Sequence, residues 1–103
     1  MAVESIKSND GKTLMISING RFSSENIVDF TKAYEDNLGS VSQVTVDLNH
    51  VESLNSLTVG MIMLLREKAA ATGVNVVLSN CAPSLKKTFQ AFGVEEFFNF
   101  DCS

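Results

Sequence analysis

Two patterns of apolar residues alternate along this sequence, one with the period of a β-strand and the other with the period of an α-helix. The order of these patterns constrains the fold more than any other feature. Leu14, Ile16 and Ile18 occupy alternate positions, with Ser17 and Asn19 among the residues between them, and Val44, Val46 and Leu48 alternate again; this is the period-2 pattern of a strand with one buried face. Apolar residues recur at helical spacing in 27–38, 55–72 and 83–92. Strands that alternate with helices in this way predict an α/β domain, in which helices cover a partly parallel sheet.

Turn and capping residues mark the elements in the first half of the chain. The Asn-Asp-Gly segment at 9–11 is a strong hairpin signal, so residues 3–8 are predicted to form a first strand that pairs with the second. The serines at 23–24 offer hydroxyl caps for the first helix. This helix is expected to continue as far as Leu38, because Gly39 then provides a natural stop.

The second half of the chain repeats the alternation of strand and helix. Residues 74–78 form a short, β-branched run that is typical of an interior strand. Pro83 suits the first turn of a third helix, which is expected to end at Gly93. Three residues are predicted on its apolar face: Leu85, Phe89 and Phe92. The aromatic residues in 97–100 predict a short closing element over the core. A length of 103 residues is that of one domain and too short for two, so residues 1–103 are expected to form a single domain.

The helix predicted over residues 55–72 is the most apolar of the three. Four residues are expected on its buried face: Leu57, Met61, Leu64 and Leu65. Gly60 lies inside this helix, where glycine costs about 1 kcal/mol relative to alanine. Close packing of the helix backbone against the sheet is the expected reason for this glycine.

Composition and charge exclude several classes of function. A net charge of −4 argues against a nucleic-acid partner, because proteins that bind phosphate backbones carry a basic face. No stretch approaches the roughly 18 to 20 apolar residues that a membrane span needs, so no membrane insertion is expected. The N-terminal segment does not resemble a secretory signal. Two cysteines, Cys81 and Cys102, make no disulfide framework, and a cytoplasmic protein is predicted.

The sequence also lacks the residue patterns that catalysis requires. His50 is the only histidine and is expected in a loop between strand and helix. Ser56 has no nucleophile-elbow glycines around it. Cys81, Cys102 and His50 share no short ligand spacing, and no two glycines are close enough for a phosphate-binding loop. We therefore expect no metal, no cofactor and no enzymatic activity, and a protein that acts by binding other proteins.

The segment Asn55-Ser56-Leu57-Thr58, at the start of the most apolar helix, is the remaining candidate site. Asn and Ser are natural N-caps, and a cap with no further role is one interpretation. The other interpretation is regulatory. A phosphate is tolerated at a helix N-terminus, and on a binding surface it adds a charge of about −1.5 to −2 that a partner must desolvate.

The residues 46–51 (Val-Asp-Leu-Asn-His-Val) and 55–61 (Asn-Ser-Leu-Thr-Val-Gly-Met) resemble the core signature of the STAS domain, the family of anti-sigma factor antagonists. The family pattern is a strand ending in Asp-Leu, a loop, Asp-Ser-Ser-Gly-Leu-Gly and an apolar helix. Residues 20–22 (Gly-Arg-Phe) resemble another family turn, and residues 76–94 resemble its last strand and helix. The resemblance implies a STAS-like mixed sheet of four to five strands covered by helices.

The resemblance also implies a function and its residues. In the family, a partner serine kinase phosphorylates the first serine of the motif, which corresponds to Ser56 here, and a PP2C-type phosphatase reverses this. The unphosphorylated form binds the anti-sigma factor-like kinase. The implied partner-binding surface consists of five residues: Asn55, Ser56, Leu57, Thr58 and His50. A narrower resemblance, to stand-alone STAS regulators of biofilm polysaccharide, implies biofilm regulation as the output.

Three departures from the family motif leave an alternative open. Asn55 replaces the aspartate, Leu57 replaces the second serine, and Thr58 replaces the first glycine. Loss of the aspartate removes a carboxylate beside the acceptor hydroxyl, and Thr58 offers a second candidate acceptor after Ser56. The alternative function is a constitutive STAS adaptor subunit of a transporter ATPase complex, in which Ser56 would be only a helix cap.

Overall fold

Five strands and three α-helices alternate along the chain in the computed structural model, which describes residues 3–101. In chain order they are β1 (Val3–Lys7), β2 (Thr13–Gly20), α1 (Ile27–Glu35), β3 (Gln43–Val51), α2 (Ser56–Ala71), β4 (Asn75–Ser79), α3 (Pro83–Ala91) and β5 (Asn99–Asp101). Short 3₁₀ turns precede α1 and β5, at Ser24–Asn26 and Glu95–Phe97. The predicted α/β class and the sheet of four to five strands are confirmed.

The strands lie side by side in chain order, β1 to β5, and all neighbours are parallel except β1 and β2. The β1–β2 hairpin turns where the sequence predicts it, with Gly11 in the left-handed region at φ 72°. Its turn is closed by a hydrogen bond from the Ser8 N–H to the Thr13 carbonyl at 2.8 Å. The Ser8 hydroxyl donates to Asp10 Oδ1 at 2.6 Å, which lowers the pKa of that carboxyl.

All three helices cover the same face of this sheet. Each helix connects one parallel strand to the next, always in the same direction across the sheet, and such crossovers are right-handed in nearly all proteins. The covered face carries one alternate set of strand residues, all buried: Leu14, Ile16, Ile18, Val44, Val46, Leu48, Val76 and Leu78. Edge-to-face ring contacts extend this core, with centroids 5.7 Å apart for Phe30 and Tyr34 and 5.6 Å apart for Phe89 and Phe98.

The buried face of α2 differs from the predicted one. Its buried residues are Thr58, Val59, Ile62, Leu65 and Ala69. Of the predicted set, Leu65 is fully buried, Leu57 and Met61 are half-buried, and Leu64 is 37% exposed, so its assignment to the buried face is wrong. The expectation for Gly60 is also wrong, because Gly60 is exposed and no atom of another element in the described part of the chain lies within 4 Å of where its Cβ would be. Because apolar residues nearly surround this helix, their spacing alone does not select a face.

The first helix is shorter than predicted. α1 begins at Ile27, after the 3₁₀ turn, and ends at Glu35. The Tyr34 carbonyl then accepts the Asn37 N–H at 2.9 Å, and this tighter turn ends the helix before Leu38. Leu38 is still buried, because its apolar side chain packs against the core from the turn and not from the helix.

Two aromatic side chains near the C-terminus are also more exposed than predicted. Phe92, expected on the apolar face of α3, follows the last helical residue and is 46% exposed. Phe97 does not cover the core, and its ring instead lies 5.0 Å from the Arg66 guanidinium. Phe98 is buried as expected. Cys81 is buried, and Cys102 lies outside the described residues.

Candidate functional site

Asn55 holds the first turn of α2, shortly after the end of β3. Its backbone is extended (φ −111°, ψ 175°), as is usual for a residue that caps a helix. Its Oδ1 accepts hydrogen bonds from the Thr58 backbone N–H at 2.8 Å and from the Thr58 hydroxyl at 2.9 Å. Its Nδ2 donates to the Phe22 carbonyl at 3.3 Å. One side chain therefore caps the helix and ties it to the segment that follows β2.

Ser56, Leu57 and Thr58 share the first turn of α2 but differ in their access to solvent. Ser56 is the first residue of α2, in the first turn as predicted, and its side chain is exposed. Leu57 is half-buried and packs against the core. Thr58 is 1% exposed, and its hydroxyl is already hydrogen-bonded to Asn55. Of these two hydroxyls, that of Ser56 is the one that another protein can reach.

The surface beside Ser56 continues along α2 over Gly60 and Leu64. Residues four positions apart share one face of a helix. A Cβ placed on Gly60 would have no heavy atom within 4 Å, and Leu64 exposes more than a third of its side chain. We call Ser56, Gly60 and Leu64 the Ser56 face. Sequence reasoning missed Gly60 and Leu64 because both were assigned to the buried side of the helix.

His50 lies in β3 and not in the loop where the sequence placed it. It is in register with Asn19 of β2, just beyond an irregularity in the pairing of the two strands. Its side chain is exposed, and its Nε2 lies 3.4 Å from Asn49 Nδ2. The extra pairing lengthens β3 to Val51, which the alternation up to Leu48 did not predict. His50 near the end of β3 and Asn55 just before α2 are both exposed, as are Glu52 and Ser53 between them.

The first turn of α2 contains no acidic residue, so nothing there offsets the positive end of the helix dipole. Among residues 3–101, no three His, Cys, Asp or Glu side chains come close enough together to hold a metal ion. Within the same part of the chain, no helix has the length and apolar character to cross a membrane. The arrangement can present a hydroxyl and an uncharged helix face to a partner.

Comparison with known proteins assigns the family. A family model described as "Mlab, STAS domain" matches residues 6–99. The chain belongs to the STAS domain family. A STAS-domain containing protein of Pseudomonas aeruginosa (strain UCBPP-PA14) is 35% identical over 98 residues, which cover 95% of this STAS chain and 97% of that protein. The family predicted from residues 46–61 is confirmed.

Solved structures share the fold of this STAS chain. A serine-to-glutamate variant of Moorella thermoacetica RsbS has a TM-score of 0.82 and 15% identity, covering 100% of this chain and 88% of its own. The anti-sigma factor antagonist SpoIIAA in its unphosphorylated form has a TM-score of 0.80 and 16% identity, covering 96% and 87%. A phosphorylated form of Bacillus SpoIIAA is similar as well. At these identities the likeness establishes the fold.

Proposed function

We propose that this STAS chain is a phosphorylation-switched protein-binding regulator, like an anti-sigma factor antagonist, in a partner-switching pathway. Its unphosphorylated form binds a serine protein kinase or anti-sigma factor-like protein. Phosphorylation of Ser56 by a serine kinase blocks this binding, and a PP2C-type phosphatase restores it. The observation that carries the proposal is an exposed serine as the first residue of α2 in a STAS domain. SpoIIAA, which shares the fold, has been solved with and without phosphate.

Access to the hydroxyl favours Ser56 over Thr58 as the phosphate acceptor. A kinase must bring its catalytic groups to within hydrogen-bond reach of the acceptor oxygen. Thr58 is 1% exposed and donates its hydroxyl hydrogen to Asn55 Oδ1 at 2.9 Å. Phosphorylation of Thr58 would break this bond and open the first helical turn, whereas Ser56 is modified with the turn intact.

A phosphate on Ser56 is compatible with the fold and incompatible with an apolar interface. At the N-terminus of α2 it meets the positive end of the helix dipole, in a turn without competing acids. The other residues of the Ser56 face, Gly60 and Leu64, carry no charge. A partner that packs against this face must desolvate the phosphate, which carries about −1.5 to −2 charge. Phosphorylation therefore changes the interface and leaves the domain folded.

The proposal extends to the setting of the switch. We place the protein in the cytoplasm, acting by binding and without catalysis of its own, with biofilm or polysaccharide regulation as the output. Asn55 retains a capping oxygen where the family has aspartate, so the helix start is kept while a negative charge beside Ser56 is lost. The competing function, a constitutive adaptor of a transporter ATPase, uses the same fold but needs no modification of Ser56.

Binding of two Ser56 variants to the partner kinase distinguishes these functions. The chain is produced in its native cells as Ser56→Ala and Ser56→Asp, and the bound kinase is quantified by mass spectrometry and then by titration of the purified pair. Ser56→Ala is expected to bind as the unphosphorylated protein does, and Ser56→Asp at least about tenfold more weakly, because a carboxylate must be desolvated. Equal affinities, with both variants folded by circular dichroism, would reject the switch in favour of the constitutive adaptor.

Ser84→Asp is the matched control for the added charge. Ser84 is exposed in the first turn of α3, so the substitution also places a carboxylate at a helix N-terminus. It is expected to leave kinase binding unchanged, because α3 does not contribute to the Ser56 face. Weakened binding by both Ser84→Asp and Ser56→Asp would mean that net charge, and not the Ser56 face, controls the interaction.

A further inference from the structure

Within residues 3–101, one face of the sheet carries no helix. Parallel strands occur almost always in sheets with both faces covered, yet β2 to β5 are parallel and all three helices lie on one side. We call the other side the open face. Ten of its residues form two adjacent rows across the strands: Glu4 and Ile6 of β1, Met15 and Ser17 of β2, Thr45 and Asp47 of β3, Val77 and Ser79 of β4, and Asn99 and Asp101 of β5.

A partly apolar row crosses the open face at right angles to the strands. Strand register places Ile6 beside Met15, Met15 beside Thr45, and Thr45 beside Val77. Ile6 is 69% exposed and Met15 37%, although apolar residues of this size are mostly buried elsewhere in the domain. The side chains of Ile6 and Met15 lie outside the core and leave apolar surface exposed to water.

An acidic row runs beside the apolar one. Register aligns Glu4, Ser17, Asp47, Ser79 and Asp101 across the five strands, so an acid occupies every second strand. Neighbouring strands lie about 4.8 Å apart, which places successive acids about 10 Å apart. Among the strand residues that the structure describes, the open face carries no Lys or Arg. Its charge is therefore of one sign.

In the middle of the acidic row, hydrogen bonds fix the carboxylate of Asp47, and its neighbour Ser79 has a hydroxyl that could accept or donate a further hydrogen bond. Asp47 Oδ1 accepts hydrogen bonds from the Asn49 backbone N–H and from Asn80 Nδ2, both at 3.0 Å. The neighbouring Ser79 is 9% exposed, and within the described part of the chain its hydroxyl has no hydrogen-bond partner. A buried hydroxyl without a partner is unfavourable in the free protein, and it lies between two carboxylate positions.

We propose that the open face binds a basic amphipathic helix of a partner protein, lying across the strands. Residues seven positions apart in a helix are separated by about 10.5 Å along its axis, which matches the spacing of about 10 Å between successive acids. Apolar residues on the same helix would cover Ile6 and Met15. A second copy of the chain, an anionic membrane and a nucleic acid all carry negative charge, which the acidic row repels.

A designed peptide provides the probe for this proposal. It is a helical peptide of about 21 residues with arginines seven positions apart and leucines beside them, and a control peptide carries the same arginines on the face opposite the leucines. Binding to the isotope-labelled chain is followed by NMR at low ionic strength, where exposed charge pairs are least screened. The proposal predicts shifts of the amides of Ile6, Met15, Asp47 and Ser79, and weaker binding of the control peptide.

Substitutions on the open face test its residues. Glu4→Gln is expected to weaken peptide binding about two- to fivefold, as for loss of one exposed ion pair, and Ile6→Ser about fivefold or more, as for loss of a buried apolar contact. Glu35→Gln, which neutralises an exposed acid on α1, is the matched control and should change nothing. Ser56→Asp should also leave peptide binding unchanged, so this result is independent of the proposed switch.

Three outcomes would overturn the proposal. The first is an absence of binding, or amide shifts confined to α2. The second is equal binding by wild type, Glu4→Gln and Ile6→Ser. The third is another occupant of the open face: sedimentation showing a dimer that Ile6→Ser dissociates, or cosedimentation with anionic phosphatidylserine vesicles that Ile6→Ser abolishes.

Discussion

Leu64 and Leu65 are neighbours on α2 whose replacement by alanine is expected to have very different effects. Leu65 is 0% exposed and lies in the close-packed core, so Leu65→Ala loses buried apolar surface and leaves a cavity. Such substitutions lower the free energy of unfolding by about 3 to 5 kcal/mol. Leu64 is 37% exposed, so part of its surface already contacts water and no closed cavity forms. Leu64→Ala is expected to lower the free energy of unfolding by about 1 kcal/mol or less.

Urea denaturation followed by circular dichroism measures both variants. With a slope of about 1 to 1.5 kcal/mol per molar urea, a loss of 3 kcal/mol moves the midpoint down by about 2 to 3 M. The same loss lowers the melting temperature by about 12 to 24 °C in a domain of this size. Equal losses for the two variants, or a larger loss for Leu64→Ala, would show that the buried face of α2 has been assigned incorrectly.

Three further substitutions test the first turn, the exposed face and the core by the same measurement. Asn55→Ala removes the cap and should lower the free energy of unfolding by about 1 to 2 kcal/mol, and an unchanged value would mean that the cap is not formed. Gly60→Ala should raise it by about 0.5 to 1 kcal/mol, because the new methyl group meets no atom, and a decrease would place Gly60 against other residues. Tyr34→Phe should leave the free energy of unfolding unchanged or raise it, because within the described residues the buried Tyr34 hydroxyl has no hydrogen-bond partner. A decrease of more than about 1 kcal/mol would show that this hydroxyl does have a partner.

The order of strands and helices was predictable because each signal was local. The alternation in the second and third strands requires only that one face of each strand be buried, and the alternate apolar residues Leu14, Ile16 and Ile18 are buried, as are Val44, Val46 and Leu48. The glycines at 11 and 93 adopt the left-handed conformation that turns and helix ends require. Such features depend on a few neighbouring residues, so tertiary packing did not alter them.

The orientation of α2 and the end of α1 were not predictable in the same way. Apolar residues nearly surround α2, and only contact with the sheet decides that Ile62 faces inward and Leu64 outward. In α1, Leu38 keeps the helical spacing and is buried, but it reaches the core from a turn. In both cases contacts between elements that are distant in the sequence decide which residues are buried. The spacing of apolar residues along the sequence does not reveal these contacts.

The position of the candidate site was predictable from the sequence. The contacts that its residues make with distant segments were not. Asn55 is a natural cap, so Ser56 in the first turn of α2 followed from local rules. The hydrogen bond from Asn55 to the Phe22 carbonyl joins residues 33 positions apart, and nothing in either segment predicts it. The register of His50 with Asn19 depends in the same way on the pairing of two strands that are distant in sequence.

Phosphate on Ser56 in protein isolated from its native cells is the most direct test of the proposed switch. Trypsin releases this residue on the peptide 33–66, which contains other hydroxyl residues, including Ser53 and Thr58, so the phosphate must be localised by fragmentation. We expect a single phosphate, on Ser56, whose occupancy changes between growth states and which a PP2C-type phosphatase removes. Absence of phosphate from Ser56 in every growth state, or phosphate confined to another residue of the peptide, would contradict it.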